Sequence, residues 1–468
     1  TPSLLSRALP GAMDLLAITE ERVEEKGVDT VTLLGLEGAV AGAAAEGEPE
    51  PPRAQFPAVR GNAAQFSQDG ARVAVLNSGT GIEVFDAASG ERQAGLAFPG
   101  VAFMQLSPRF DQVLTFQKPT KKDKTERNLK VWDLASGEIL WSQFQKYIAK
   151  ENWPVAFWSE DQTAFLRAVT NEAHVYDPAD FAGGIQRRLR LKGIADCSLS
   201  PGPDPVVVAY VPELKGAPAN VQLFRVADLP GNEDKGAAPG CLARRSFFKS
   251  QGVLFHWNSK GSAVLVTAFS DIDTTNQSYY GEQNLHFMRT DGSLECQVPD
   301  LKEGPIHDVQ WAPNGEHFIV VHGFMPAKTT LFNEKCKPVY DFGSGPRNVV
   351  RWSPHGRFIM LGGFGNLPGD MEFFDKKADG KCKLMGSVRV PMTVGCAWAP
   401  DGRHVVTSIV SPRMRVDNCF RVFKYNAELV LQRDIPVLYQ VMWRPAPEGR
   451  FPDRPMSPGA SRAGKAGA

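Results

Sequence analysis

The chain has 468 residues, 43% hydrophobic and 22% charged, with 52 Lys plus Arg balanced by 52 Asp plus Glu. That balance excludes a global field drawing the whole molecule to nucleic acid or to an anionic membrane, so binding of that kind has to come from local patches. Apolar runs such as FIVV (318–321) and AVLV (263–266) fall far short of the roughly 18 residues a membrane span needs, and no charged-then-apolar leader pattern opens the chain.

Seven cysteines, Cys197, Cys241, Cys296, Cys336, Cys382, Cys396 and Cys419, are scattered without a C-x-x-C pair. This argues against a disulfide framework and a zinc site, and for a reducing, cytoplasmic setting. A chain that opens on Thr and closes on RPMSPGASRAGKAGA is expected to lack one or both natural ends.

Taken in chain order, MDLLAIT (13–19) and VDTVTLLGLE (28–37) predict two strands, and the Ala/Gly/Glu/Pro stretch 38–53 predicts a flexible loop. One short pattern then recurs: a large apolar residue, a small or polar one, often Pro, then a turn residue with Gly. It stands as FSQDG at Phe66, LSPRFD at Leu106, WSEDQ at Trp158, LSPGP at Leu199, WNSKG at Trp257, WAPNG at Trp311, WSPHG at Trp352, WAPDG at Trp398 and WRPAPEG at Trp443. Phe66 and Trp443 are 377 residues apart, eight steps of about 47. A second turn, VFDAASGE (84–91) and VWDLASGE (131–138), follows several anchors.

A period of 40–50 residues with these signals predicts an all-β, WD40-like β-propeller of four-stranded antiparallel blades. Middle strands such as HFIVVHG and SAVLVTAF are apolar on both faces, as strands covered from both sides must be. Each anchor Trp is expected to bury against the next blade. The ninth anchor has too little chain after it for a full blade, so the ring is expected to close by pairing the N-terminal strands with 441–443. This gives nine blades, with eight as the fallback, in a single propeller over 1–452 and a disordered tail over 453–468.

Strand direction then sorts the connections. Anchor turns and Asp-Ser-Gly turns fall at one end of each blade; second-to-third and blade-to-blade connections fall at the other. The unusual segments are all of the latter kind: QKPTKKDKTERN (117–128), PELKGAPAN (212–220), RRSFFKSQG (244–252), SDIDTTNQSYYGEQ (270–283), GFMPAK (323–328), GSGPRN (343–348), GFGNLPGDM (363–371) and SPRMRVDN (411–418). Loops on a rigid scaffold are where binding usually resides.

The 117–128 loop is net +3, and basic groups interleaved with Phe suit phosphate contact plus base stacking, although simple solvation is the other use of such a loop. Phe324 and Met325 are expected either to tuck onto a neighbouring blade or to face a partner. The candidate residues are Lys118, Lys121, Lys122, Lys124 and Arg127 for phosphate, and Phe324, Met325, Lys328, Arg347, Asn348, Arg413 and Arg415 for a docking surface.

No G-x-S-x-G, H-E-x-x-H, P-loop or Cys/His metal spacing is present, so no enzyme, cofactor or metal is expected. Asp271, Asp273, Thr275, Gln277 and Glu282 match a calcium-loop template, but Asn276 stands where that template needs Gly, and the match is read as coincidence.

At its loops the chain resembles the eukaryotic translation initiation factor 2A family. The likeness rests on SPGPDPVVVAYVPELKGAPANVQLF, SYYGEQNLHF, GPIHDVQW, GFMPAKTTLFN, DFGSGPRN, WSPHGRFIMLGGFGNLPGDMEFFD and PRMRVDN, and covers about 60–452. It implies a nine-bladed propeller that associates with the small ribosomal subunit (rRNA and ribosomal proteins). It also implies support of GTP-independent initiator tRNA delivery and unconventional start sites, with mRNA and other initiation factors as further partners. No DNA or membrane partner and no stable self-association are expected.

The family's charged, helical C-terminal extension has no counterpart after Pro452, so mRNA and partner-factor contacts made by it are not expected of this chain. The 38–53 and 117–128 segments look lineage-specific. The alternative is a protein-interaction scaffold that reaches ribosomes only through partner proteins.

Overall fold

A computed structural model describes residues 13–23, 26–35, 53–54, 58–119, 126–233, 239–270, 281–377 and 380–452. Their strands form nine small antiparallel sheets. Eight blades run consecutively: 63–97, 101–143, 156–190, 196–247, 252–297, 306–345, 349–389 and 395–434, numbered here 1 to 8. The ninth combines Leu438–Trp443 as its inner strand with Asp14–Val23, Lys26–Gly35, and the two short strands Arg53–Ala54 and Val59–Arg60. The closing register pairs Leu15 with Trp443, Leu16 with Met442 and Ala17 with Val441. The 38–53 loop and the 453–468 tail lie outside the described residues, apart from Arg53, which pairs with Gly35 instead of belonging to a loop.

The anchor pattern has a local cause. In blades 1, 2, 3, 4 and 7 the anchor Ser turns its hydroxyl back to accept the N–H of the residue that opens or immediately precedes the second strand: Ser67 from Arg72, Ser107 from Gln112, Ser159 from Ala164, Ser200 from Val206 and Ser353 from Phe358, at 2.9–3.0 Å. Asn258 does the same for Ala263 in blade 5. The Asp-Ser-Gly turns close on Asp86 and Asp133, each accepting two backbone N–H groups and a Ser hydroxyl. Those bonds, led by the backbone N–H of Ser89 and Ser136, hold both carboxyls below the usual carboxylate range.

Between the turns, second strands are buried on both faces; Phe318, Ile319, Val320 and Val321 are fully enclosed. Nine apolar clusters each span two neighbouring blades, the last joining Leu15 and Trp443 to Val406, Phe420 and Val422 of blade 8.

The anchor Trp residues pack against the preceding blade, which corrects the expectation that they meet the next one. The indole N–H groups fix the direction. Trp311 donates to the His256 carbonyl at 2.8 Å, Trp352 to Gln310 at 3.3 Å, Trp398 to Arg351 at 3.0 Å and Trp443 to Ala397 at 3.0 Å. Every acceptor is the residue just before the preceding blade's own anchor Trp, so one hydrogen bond repeats as a rung across four seams.

Candidate docking surface at the connector end

Two separate sets of contacts define the two ends of the ring. At one end the anchor turns touch one another: Arg72 donates to the Arg109 carbonyl, Arg109 to that of Asp161, Ser259 to that of Pro313, and Arg444 to that of Gly70. At the other end, second-to-third connections meet blade-to-blade connections. There Gly100 N donates to Ser78 O, Gly193 N to the Asn171 side chain, Lys249 N to the Glu213 carboxylate, Gly323 N to Pro305 O and Ser411 N to Leu438 O. The segments 323–328 and 343–348 share that second end, because Ala327 pairs with Gly345 and Lys328 with Ser344. Gly343 to Gly345 belong to an outer strand, which leaves only 346–348 as free connection.

Exposed apolar side chains are distributed unevenly between the ends. Phe144, Tyr147, Leu214, Phe248, Phe324, Met325, Met392 and Val416 are all on connections at the second end. Among the described residues, none of the anchor or Asp-Ser-Gly turns exposes a large hydrophobic side chain; the others sit on outer strands, with Leu254 on an inner one.

The sequence candidates separate into three groups. Lys118, Arg127, Arg413 and Arg415 are exposed and carry no ion pair among the described residues. Phe324 and Met325 face solvent at 36% and 41% exposure. Lys328, Arg347 and Asn348 are engaged internally. Lys328 pairs with Asp341 at 3.3 Å. Arg347, only 8% exposed, reaches Glu372 at 2.7 Å and the Phe342 carbonyl at 3.0 Å. Asn348 exchanges two hydrogen bonds with the backbone of Phe364.

Arg347 and Asn348, expected on the docking surface, brace the connections: Arg347 is largely buried and directs Nε and Nη1 to acceptors inside the protein. Arg347→Met is accordingly expected to lower unfolding free energy by about 2–3 kcal/mol, read as a drop in urea midpoint at unchanged slope. Lys121, Lys122 and Lys124, and the calcium-like stretch up to 280, lie outside the described residues.

Sequence reasoning missed the group that holds GFMPAK in place. Lys302, in the connection before blade 6, donates through Nζ to the carbonyls of Phe324 and Pro326, both at 2.9 Å. The Phe324 N–H donates to Glu303 O at 3.1 Å, and the His307 ring Nε2 lies 2.9 Å from Gly323 O. The two connections touch so closely that Gly304 and Gly323, at φ +123° and +90°, have no room for a Cβ; one would meet the Phe324 backbone, the other the Lys302 side chain. The Lys302 N–H in turn donates to Nδ1 of His322 at 2.8 Å. The signal lay in PDLKEGP, whose composition is that of any turn.

Comparison with known proteins places this geometry. The family model described as eukaryotic translation initiation factor eIF2A matches residues 245–441. The chain is 35% identical to eukaryotic translation initiation factor 2A of Dictyostelium discoideum over 83% of its own length and 62% of that protein. Against the Schizosaccharomyces pombe protein of the same name it is 32% identical, over 86% and 68%. It thus spans about two thirds of these relatives. A solved structure described as a crystal structure of the eukaryotic initiation factor superposes with a TM-score of 0.78 at 27% identity, covering 94% of this chain and all of that one. On these matches the chain belongs to the eukaryotic translation initiation factor 2A family.

Proposed function

We propose that this propeller is a non-enzymatic translation initiation factor that docks on the small ribosomal subunit through its connector end and there supports initiator tRNA delivery or initiation at alternative start sites. The observation that carries this is the concentration of exposed apolar side chains on the connections of one end of the ring, where Lys118, Arg127, Arg413 and Arg415 are also exposed and without an ion pair among the described residues. Lys118, Arg127, Arg413 and Arg415, with Lys121, Lys122 and Lys124, would neutralise phosphates.

The test is co-sedimentation with salt-washed small subunits at increasing salt. Each neutralised phosphate contributes about 0.7–0.9 log units per log unit of salt, so four contacts correspond to about a 30-fold loss between 0.1 and 0.3 M. Reversing Lys121, Lys122, Lys124, Arg413 and Arg415 to Glu is expected to abolish most of that dependence. The exposed apolar residues favour a second reading, attachment through proteins alone. Equal co-sedimentation of wild type and the charge-reversed chain would select it.

A further inference from the structure

We infer that the Phe324–Met325 tip is a preformed plug that inserts into an uncharged apolar pocket on a protein partner, as distinct from stacking on nucleic acid. This rests on the docking proposed above and assigns its blade 6 portion to a protein component of the small subunit.

Shape is the first support. An exposed aromatic next to an exposed Met is the composition of an interface core, and here the pair sits on a backbone that is already fixed. Lys302 Nζ holds the carbonyls on both sides of Met325, Glu303 and Pro305 accept the N–H groups of Phe324 and Gly323, and His307 meets the Gly323 carbonyl. A tip ordered before contact loses little conformational entropy on binding, which is what concentrates affinity in a few residues.

Charge is the second. A phosphate-binding tip needs free cations beside its aromatic, yet those nearby are committed: Lys302 to two carbonyls, Lys328 to Asp341, Arg347 to Glu372. Asp300 and Glu303, exposed on either side of Lys302 in the adjoining connection, outnumber its single charge and would repel a backbone phosphate. Arg413 and Arg415, which carry no ion pair among the described residues, belong to blade 8, and Lys118 and Arg127 to blade 2, leaving the blade 6 tip an apolar, acid-flanked point.

The experiment compares two probes, salt-washed small subunits and small-subunit rRNA stripped of protein. Phe324→Ala combined with Met325→Ala is expected to weaken subunit binding by about 10-fold or more, with the salt slope and the binding to stripped rRNA unchanged. Met325→Lys, at an exposed position that tolerates it, reads the two chemistries in opposite directions: weaker subunit binding for a plug, stronger binding to both probes for a nucleic-acid contact. Lys302→Met, which frees the tip, should lower subunit affinity while leaving stripped rRNA unaffected. Unchanged subunit binding by the double variant, or an equal loss on both probes, overturns the inference and leaves the docking proposal standing. Wild-type protein that fails to bind subunits at all overturns the docking proposal and this inference with it.

Discussion

Trp443→Ala is expected to destabilise the ring by about 3–5 kcal/mol, the range for truncating a buried aromatic, seen as a large fall in urea midpoint. Trp443 is 7% exposed and contributes three things at one position. Its ring fills the cluster shared with Phe420, Val422 and Leu15; its backbone pairs with Leu15 across the closure; its indole N–H occupies the Ala397 carbonyl. The residue after it, Arg444, bonds Asp14 at 2.8 Å and the Gly70 carbonyl at 2.7 Å, so the first strand, the last strand and blade 1 meet here.

Trp443→Phe separates the contributions. It keeps most of the apolar area and removes the N–H, for a loss on the order of 1–2 kcal/mol. Should Trp443→Ala shift the midpoint no more than Trp443→Phe, the packing at the closure carries less than its burial implies.

The second large effect is acid sensitivity between pH 6.5 and 4. His322 is fully enclosed, and burial first, then the Lys328 charge, takes its pKa down to about 4. Burial and Arg245 take His286 to about 4 as well. Below pH 6.5 an unfolded chain gains protons on both rings that the folded chain refuses until near pH 4. Stability is therefore complete above that window and lost as pH falls through it, by about 3 kcal/mol for each ring.

The two histidines differ in what protonation breaks. Nδ1 of His322 accepts the Lys302 N–H, so the neutral ring carries its proton on Nε2 and donates to Thr330 at 3.2 Å; a second proton would collide with the bond that seats the connection before blade 6. His286 has neither ring nitrogen bonded and lies flat on Phe247 at 4.6 Å. His286→Phe should preserve that stacking and remove about half of the acid loss. Urea midpoints of the two chains measured from pH 7.5 to 4.5 should diverge as pH falls; parallel curves would mean that His286 does not titrate there.

How much of this could be read from residues depends on the range of the interaction. The anchor pattern was legible because Ser67 and its equivalents act within five or six residues, and the closure because an incomplete blade at one terminus demands strands from the other. The direction of Trp packing was not, since a period of about 47 is the same read forwards or backwards and only the indole N–H breaks the symmetry. Phe324 and Met325 stood out as apolar residues in a turn, but Lys302, which fixes them, is an ordinary lysine until its fold neighbours are known. The burial of Arg347 was hidden for the converse reason: its acceptor, Glu372, lies 25 residues away on a strand of blade 7, and local sequence shows only an arginine in a Gly/Pro connection.

The ladder of indole bonds has an end, and the end has a meaning. Trp257, first of the anchor tryptophans in blades 5 to 9, has its Nε1 buried without an acceptor among the described residues; His286 of blade 5 and Nε of Arg245 of blade 4 share that condition at the same junction. Uncompensated donors weaken the side of a joint on which they fall. The circle is consequently not uniform: from blade 5 through the closure one bond repeats in series, whereas among the described residues the seam between blades 4 and 5 is held by its apolar cluster without that rung.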